Sequence, residues 1–195
     1  MQKTTKFRAL STGALIITAA LGLTACAAPA GSAADSGANE ADVMFVQMMI
    51  PHHEGAVEMS DVLLDKTGVD PDVVAIAEQI KAAQAPEIEQ MEAWLEEWDV
   101  DMSDMSGMDG MEGMDPGDMG GMGDMSEDMD ALEEADGAAA GDLFLEQMIV
   151  HHEGAIDMAE DVLEDGEHPD VRELAENIVE SQADEIERMR SMLES

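Results

Sequence analysis

The stretch MIPHHEGAVEM, Met49 to Met59, returns almost unchanged as MIVHHEGAIDM, Met148 to Met158. Four of the chain's five histidines fall in these two pairs, and each pair lies between the same two methionines. Imidazole binds copper in either oxidation state, and zinc; thioether sulfur is soft and favours Cu(I), with Ag(I) as its mimic. A duplicated Met/His set therefore points to copper, with Cu(I) favoured and Cu(II) also accommodated. The candidate ligands are His52, His53, His151 and His152 with Met49, Met59, Met148 and Met158.

Such ligands need rigid elements to hold them. The chain contains one internal repeat, about 41–98 and 141–195, and each copy reads as two helices joined by a turn. Phe45, Met49, His52, Ala56, Met59 and Leu63 follow an alternating four-three spacing, a heptad seam. Phe144, Met148, His151, Ala155, Met158 and Val162 repeat it. In the turn of the first copy, Gly68 can stop one helix and Pro71 can open the next, with Asp70 as its cap. The second helices carry seams at Val73, Ala77, Ile80, Gln84, Glu87, Met91 and Trp94, and at Val171, Ala175, Ile178, Gln182, Glu185, Met189 and Met192. Met91, Met189 and Met192 read as core packing. Four helices of this length suit an all-α, antiparallel four-helix bundle made of two hairpins. Pro86, mid-helix, predicts a kink in the second helix.

Closing each hairpin at its turn puts His52 level with Gln84 and Met49 level with Glu87; His151 meets Gln182 and Met148 meets Glu185 in the same way. Gln84, Glu87, Gln182 and Glu185 are then placed to orient the imidazoles rather than to ligate. An unpaired buried polar group costs roughly 1–3 kcal/mol, so two such clusters require a partner, either each other or an ion. At about 100° per residue, His53 and His152 fall at the seam's edge, as additional ligands or as ligands on the side where an ion arrives. Glu54 and Glu153 lie further round, on the surface.

Outside the repeats the chain changes character. Residues 1–25 have a basic start and a short apolar run, the pattern of a secretory signal. Leu23-Thr24-Ala25-Cys26 resembles a bacterial lipobox, so Cys26 is the expected lipidation site and 26–40 a flexible tether. With its only cysteine committed to lipid, the chain has no disulfide and no thiolate ligand. Residues 99–140 form a Met/Asp/Gly-rich linker with no helical periodicity, expected to be disordered. In it Met102, Met105, Met108, Met111 and Met114 recur every third residue, an accessory set of low-affinity thioethers. Signal removal takes three of eight basic residues and leaves 46 acidic ones, which excludes nucleic acid as a partner and attracts cations.

Enzyme patterns fail on the letters. A zincin needs His-Glu-x-x-His, and HHEGAVEM lacks the second histidine. A di-iron oxidase of the ferritin type needs Glu-x-x-His on two helices; Met49, Ile50, Met148 and Ile149 stand where its glutamates belong. No Ser/His/Asp or Cys/His set is visible.

Paired HHEGA…M helices, each followed by a Q-x-x-E-I-x-x-M helix, resemble the bacterial domain-of-unknown-function family three hundred and five. The resemblance covers both repeats but neither tether nor linker. It implies a ferritin-like helical bundle and, from members associated with extracytoplasmic copper, a metal site at His52, His53, His151 and His152 flanked by Met49, Met59, Met148 and Met158. The expected protein is a non-enzymatic copper-binding lipoprotein of the cell envelope, anchored to the membrane on its extracytoplasmic face. It buffers or sequesters copper, or hands it to an acceptor protein. The alternatives are a redox enzyme oxidising Cu(I), and a structural lipoprotein whose buried His-Glu pairs hold no metal.

Overall fold

The first helix starts where Asn39 and Asp42 cap each other. The Asp42 amide donates to Asn39 Oδ1 at 3.0 Å, and the Asn39 amide donates to Asp42 Oδ2 at 2.8 Å. In the computed structural model, which describes residues 37–102 and 125–195, this helix, α1, runs Glu40–Leu64. Helix α2 (Pro71–Glu97) opens with Pro71 behind an Asp70 cap, as the sequence predicts, and Gly68 sits in the preceding turn at φ +82°, a conformation that favours glycine. After α3 (Met125–Glu134) come α4 (Gly137–Asp165) and α5 (Pro169–Leu193). The described residues contain no strand, and no described helix is long and apolar enough to cross a membrane.

The expected seams are the core. Every seam position of α1 and α4 is buried, and on α2 and α5 only Glu87 and Met192 are partly exposed. Helices α1 and α4 pack against each other, while α2 packs on α1 and α5 on α4. The apolar side chains form two layers. One holds Phe45, Met49 and Met91 with Ala155, Met158 and Val162; the other holds Ala56, Met59 and Leu63 with Phe144, Met148 and Met189. The start of α1 thus lies beside the end of α4, so the two helices run antiparallel, and the four paired histidines fall between the layers.

Helix α2 runs on through Pro86, as α1 does through Pro51; each proline removes one backbone hydrogen bond without ending its helix. One expectation needs correction: the end of the linker is not structureless. Residues 125–134 form α3, and Leu132 is fully buried in the second core layer, with Met129 packed partly against it. The two apolar side chains are three apart and so share a helix face, a signal too short to stand out beside the Met-rich tract. Residues 103–124 lie outside the described region.

The hairpins are stitched at one end by Asp42. Its Oδ2 also accepts from the amides of Glu167, at 3.1 Å, and His168, at 3.0 Å, while Asn39 Nδ2 donates to the Asp165 carbonyl at 2.7 Å. Gly166 is required there, because a Cβ would fall 2.6 Å from Asp42 Oδ1.

Candidate metal centre

His52 and His151 meet at the middle of the α1–α4 interface. Their ring centres are 3.7 Å apart with planes tilted by 43°. Both residues are buried, and neither ring has a hydrogen-bond partner on Nδ1 or Nε2. Burial, reinforced by the neighbouring His53 and His152, pushes the His52 pKa down to about 3. The same burial, with His52, His152 and His53 adding to it, pushes His151 well below the ordinary imidazole value. The His52 backbone opposes this slightly, yet no hydrogen bond reaches either His151 ring nitrogen. At neutral pH both rings are uncharged, the form in which imidazole binds a metal.

The adjacent histidines are held differently. His53 Nε2 lies 2.8 Å from Glu87 Oε2, and His152 Nε2 lies 2.8 Å from Glu185 Oε2. An ionised carboxylate can only accept, so each Nε2 carries the hydrogen, and in the neutral ring, the form that binds a metal, the lone pair is on Nδ1. Both Nδ1 atoms are buried without a partner. A carboxylate behind an imidazole, fixing its tautomer and orientation, is the arrangement that supports histidine ligands in metal sites. The sequence argument placed Glu87 and Glu185 level with Met49 and Met148, behind His52 and His151; the structure pairs them with His53 and His152 instead. Those two histidines are fully buried and do not face solvent. The carbonyl oxygens of Gln84 and Gln182 are buried without partners, and no hydrogen bond joins them to His52 or His151.

The four candidate methionines divide between the two layers. Met49 and Met158 lie on one side of the histidines, and Met59 and Met148 on the other. Each methionine is thus grouped with the other repeat's opposite bracket. Met91 joins the first group and Met189 the second. Met102 is exposed, while Met105, Met108, Met111, Met114 and Cys26 lie outside the described residues. Among the described residues no three His, Asp or Glu side chains converge as a ready ligand set. Two imidazoles sharing a tetrahedral ion through bonds of about 2 Å hold their ring centres roughly 5 Å apart. The His52–His151 pair is closer than that and packs ring against ring.

Two groups at the site were not singled out from the sequence. Gln79 donates to Glu185 Oε1 at 3.0 Å and accepts from Arg188 at 2.6 Å, so α2 helps hold the second hairpin's carboxylate. The available signal was the placement of Arg188 and Arg190, two of only eight basic residues, where the first repeat has Gln90 and Glu92. The fifth histidine, His168, stays apart and packs on Trp98 and Trp94, with ring centres 5.3 Å and 6.1 Å away.

A family model described as Domain of unknown function (DUF305) matches residues 42–193, both hairpins with their seams. The chain belongs to the DUF305 family. A DUF305 protein from Streptomyces coelicolor is similar in structure, with 34% identity and a TM-score of 0.70 over 78% of this chain and 91% of its own. A DUF305 fragment from Deinococcus radiodurans is similar with 30% identity and a TM-score of 0.68, over 80% of this chain and 97% of that one. CopM in its Cu(I)-bound form is similar with 29% identity and a TM-score of 0.62, over 78% of this chain and 95% of its own. CopM also has Cu(II)-bound and Ag-bound forms. No curated protein matches the chain. The DUF305 bundle is thus a fold that, in CopM, carries copper.

Proposed function

We propose that this DUF305 protein is a membrane-anchored lipoprotein outside the cytoplasm that binds copper within its bundle and buffers it, sequesters it or hands it on, without catalysis. The observation that carries the reading is the buried four-histidine cluster. His52 and His151 are uncharged with all four ring nitrogens unpartnered, at roughly 1–3 kcal/mol for each unpaired group. His53 and His152 offer one lone pair each, oriented by a carboxylate. Thioethers occupy the apolar layers on both sides. This donor chemistry fits a soft cation, and CopM, which shares the fold, has Cu(I)-, Cu(II)- and Ag-bound forms. His52, His53, His151 and His152 would bind the ion, with Met49, Met59, Met148 and Met158 as soft donors. Loading requires the His52 and His151 rings to part by about 1 Å or more from their present contact. The signal pattern and Cys26 support the envelope location, and the Met-rich linker supports a role in collecting copper at lower affinity.

Calorimetric titration of the full chain with Cu(I) and Cu(II), beside a variant with all four paired histidines changed to alanine, tests the proposal. Tight binding by the native chain that the variant lacks is expected, with only the weaker binding of the Met-rich linker left in the variant; equal tight binding by both would refute the proposal.

The ring-against-ring contact favours a second reading, in which the histidines only fix how the hairpins pack. A ligand that binds only the folded state must stabilise it. A melting temperature unmoved by saturating copper would therefore favour this structural role.

A further inference from the structure

The two His-Glu pairs are related by the repeat but are not equivalent. Glu185 is nearly enclosed, its side chain 8% exposed, and both of its oxygens are held, one by His152 and the other by Gln79. Arg188 anchors that glutamine, and Arg190 pairs with Glu153 alongside. Glu87 has a side chain 22% exposed and is hydrogen-bonded to His53. Where the second hairpin carries Arg188 and Arg190, the first carries Gln90 and Glu92.

The backbone differs in the same sense. Pro51 immediately precedes His52, and Pro86 immediately precedes Glu87. Both lie inside helices, and each removes a hydrogen bond next to a site residue. The matching positions in the second repeat are Val150 and Asp184. An open groove of about 540 Å³ runs along α1, lined by Glu54, Val57, Glu58, Asp61, Val62 and Asp65 with Ile88 of α2. Glu54 and Ile88 are the chain neighbours of His53 and Glu87. Lys81 is paired with Asp61.

Resting on the copper reading above, we propose that copper reaches and leaves the buried histidines through the first hairpin, at Glu87 and His53, while the second hairpin is the fixed wall of the site. Both faces carry carboxylates, Glu54, Glu58, Asp61 and Asp65 on the first and Glu153, Asp157, Glu160 and Glu164 at the matching positions of the second. Each also has an ion pair, Lys81–Asp61 and Arg190–Glu153. The difference is beside the two histidine-bound glutamates, where the second hairpin places Arg188 on the glutamine that holds Glu185 and the first has Gln90 and Glu92. The carboxylate that must yield is the more exposed one, and the turns that must flex are those already short of a hydrogen bond. Glu87 is then a positioning residue for His53 at rest and the carboxylate an incoming ion meets next to the buried histidine.

Two measurements on the full chain test the route. In the metal-free protein, amides of 52–56 and 87–91 are expected to exchange with deuterium about tenfold faster than those of 151–155 and 185–189. Exchanging in the second repeat's residues, Pro51→Val with Pro86→Asp, should erase that difference and slow uptake of Cu(I) from excess bicinchoninate, with final capacity unchanged. For charge, Gln90→Arg with Glu92→Arg should slow uptake about fivefold. Glu180→Arg with Glu187→Arg adds at least as much positive charge to the second hairpin and should change it by less than about twofold. Equal amide exchange in the two halves, or equal slowing by the two charge variants, would overturn the route while leaving copper binding intact. A native chain that takes up no Cu(I) overturns both the route and the copper reading.

Discussion

His52 and His53 are neighbours in the chain, as are His151 and His152, yet the members of each pair live in different surroundings. The inner pair, His52 and His151, packs ring to ring across the α1–α4 interface with no hydrogen bond. The outer pair, His53 and His152, hydrogen-bonds to glutamates on the helix that completes its own hairpin. One residue step rotates a helical side chain by about 100°, enough to exchange a histidine partner for a carboxylate. Adjacent identical residues thus receive different tasks: the inner rings are kept neutral by burial, and the outer rings are aimed by a carboxylate.

The strongest way to break the comparison is to remove one pair at a time. His52→Ala with His151→Ala is expected to abolish tight copper binding in a calorimetric titration. Glu87→Gln with Glu185→Gln keeps all four imidazoles and should weaken binding by about 10–100-fold. Equal losses would mean that the two pairs do one job.

Acid separates the pairs next. The folded-state pKa of His52 is about 3, below its ordinary value of 6.5, and His151 shifts in the same direction. Between those values the unfolded chain binds more protons, so stability is full above about pH 6.5 and is lost as pH falls toward 3, by up to about 1.4 kcal/mol per pH unit for each ring. Denaturant unfolding of the metal-free chain at pH 7, 5 and 4 should show the decline. His52→Leu with His151→Leu should flatten it over that range, and an unchanged slope would remove burial of the inner rings as its cause.

Smaller effects distinguish the outer carboxylates. Glu185→Ala leaves His152 and the Gln79 amide without their shared partner in an enclosed position, and should cost about 3 kcal/mol in denaturant unfolding. Glu87→Ala, at the more open position, should cost about 1 kcal/mol. Equal costs would erase the difference between the hairpins.

Much of the bundle was legible because its information is local. Phe45, Met49, His52, Ala56, Met59 and Leu63 repeat at a spacing that places them on one face of any helix they form, and all of them are buried. Gly68, Asp70 and Pro71 mark the turn through their own backbone chemistry. Helix α3 was hidden because Leu132 and Met129 acquire a hydrophobic role only once the second core layer exists to receive them.

The sequence by itself determined which residues share a seam and where the hairpins turn, because periodicity and capping act within a few residues. Only the tertiary structure decided that the four histidines gather into one cluster, that Glu87 and Glu185 serve His53 and His152, and that Gln79, itself held by Arg188, reaches the second carboxylate. Those choices depend on how two hairpins rotate and slide against each other. That rotation is set by the summed packing of both apolar layers, which no single motif encodes.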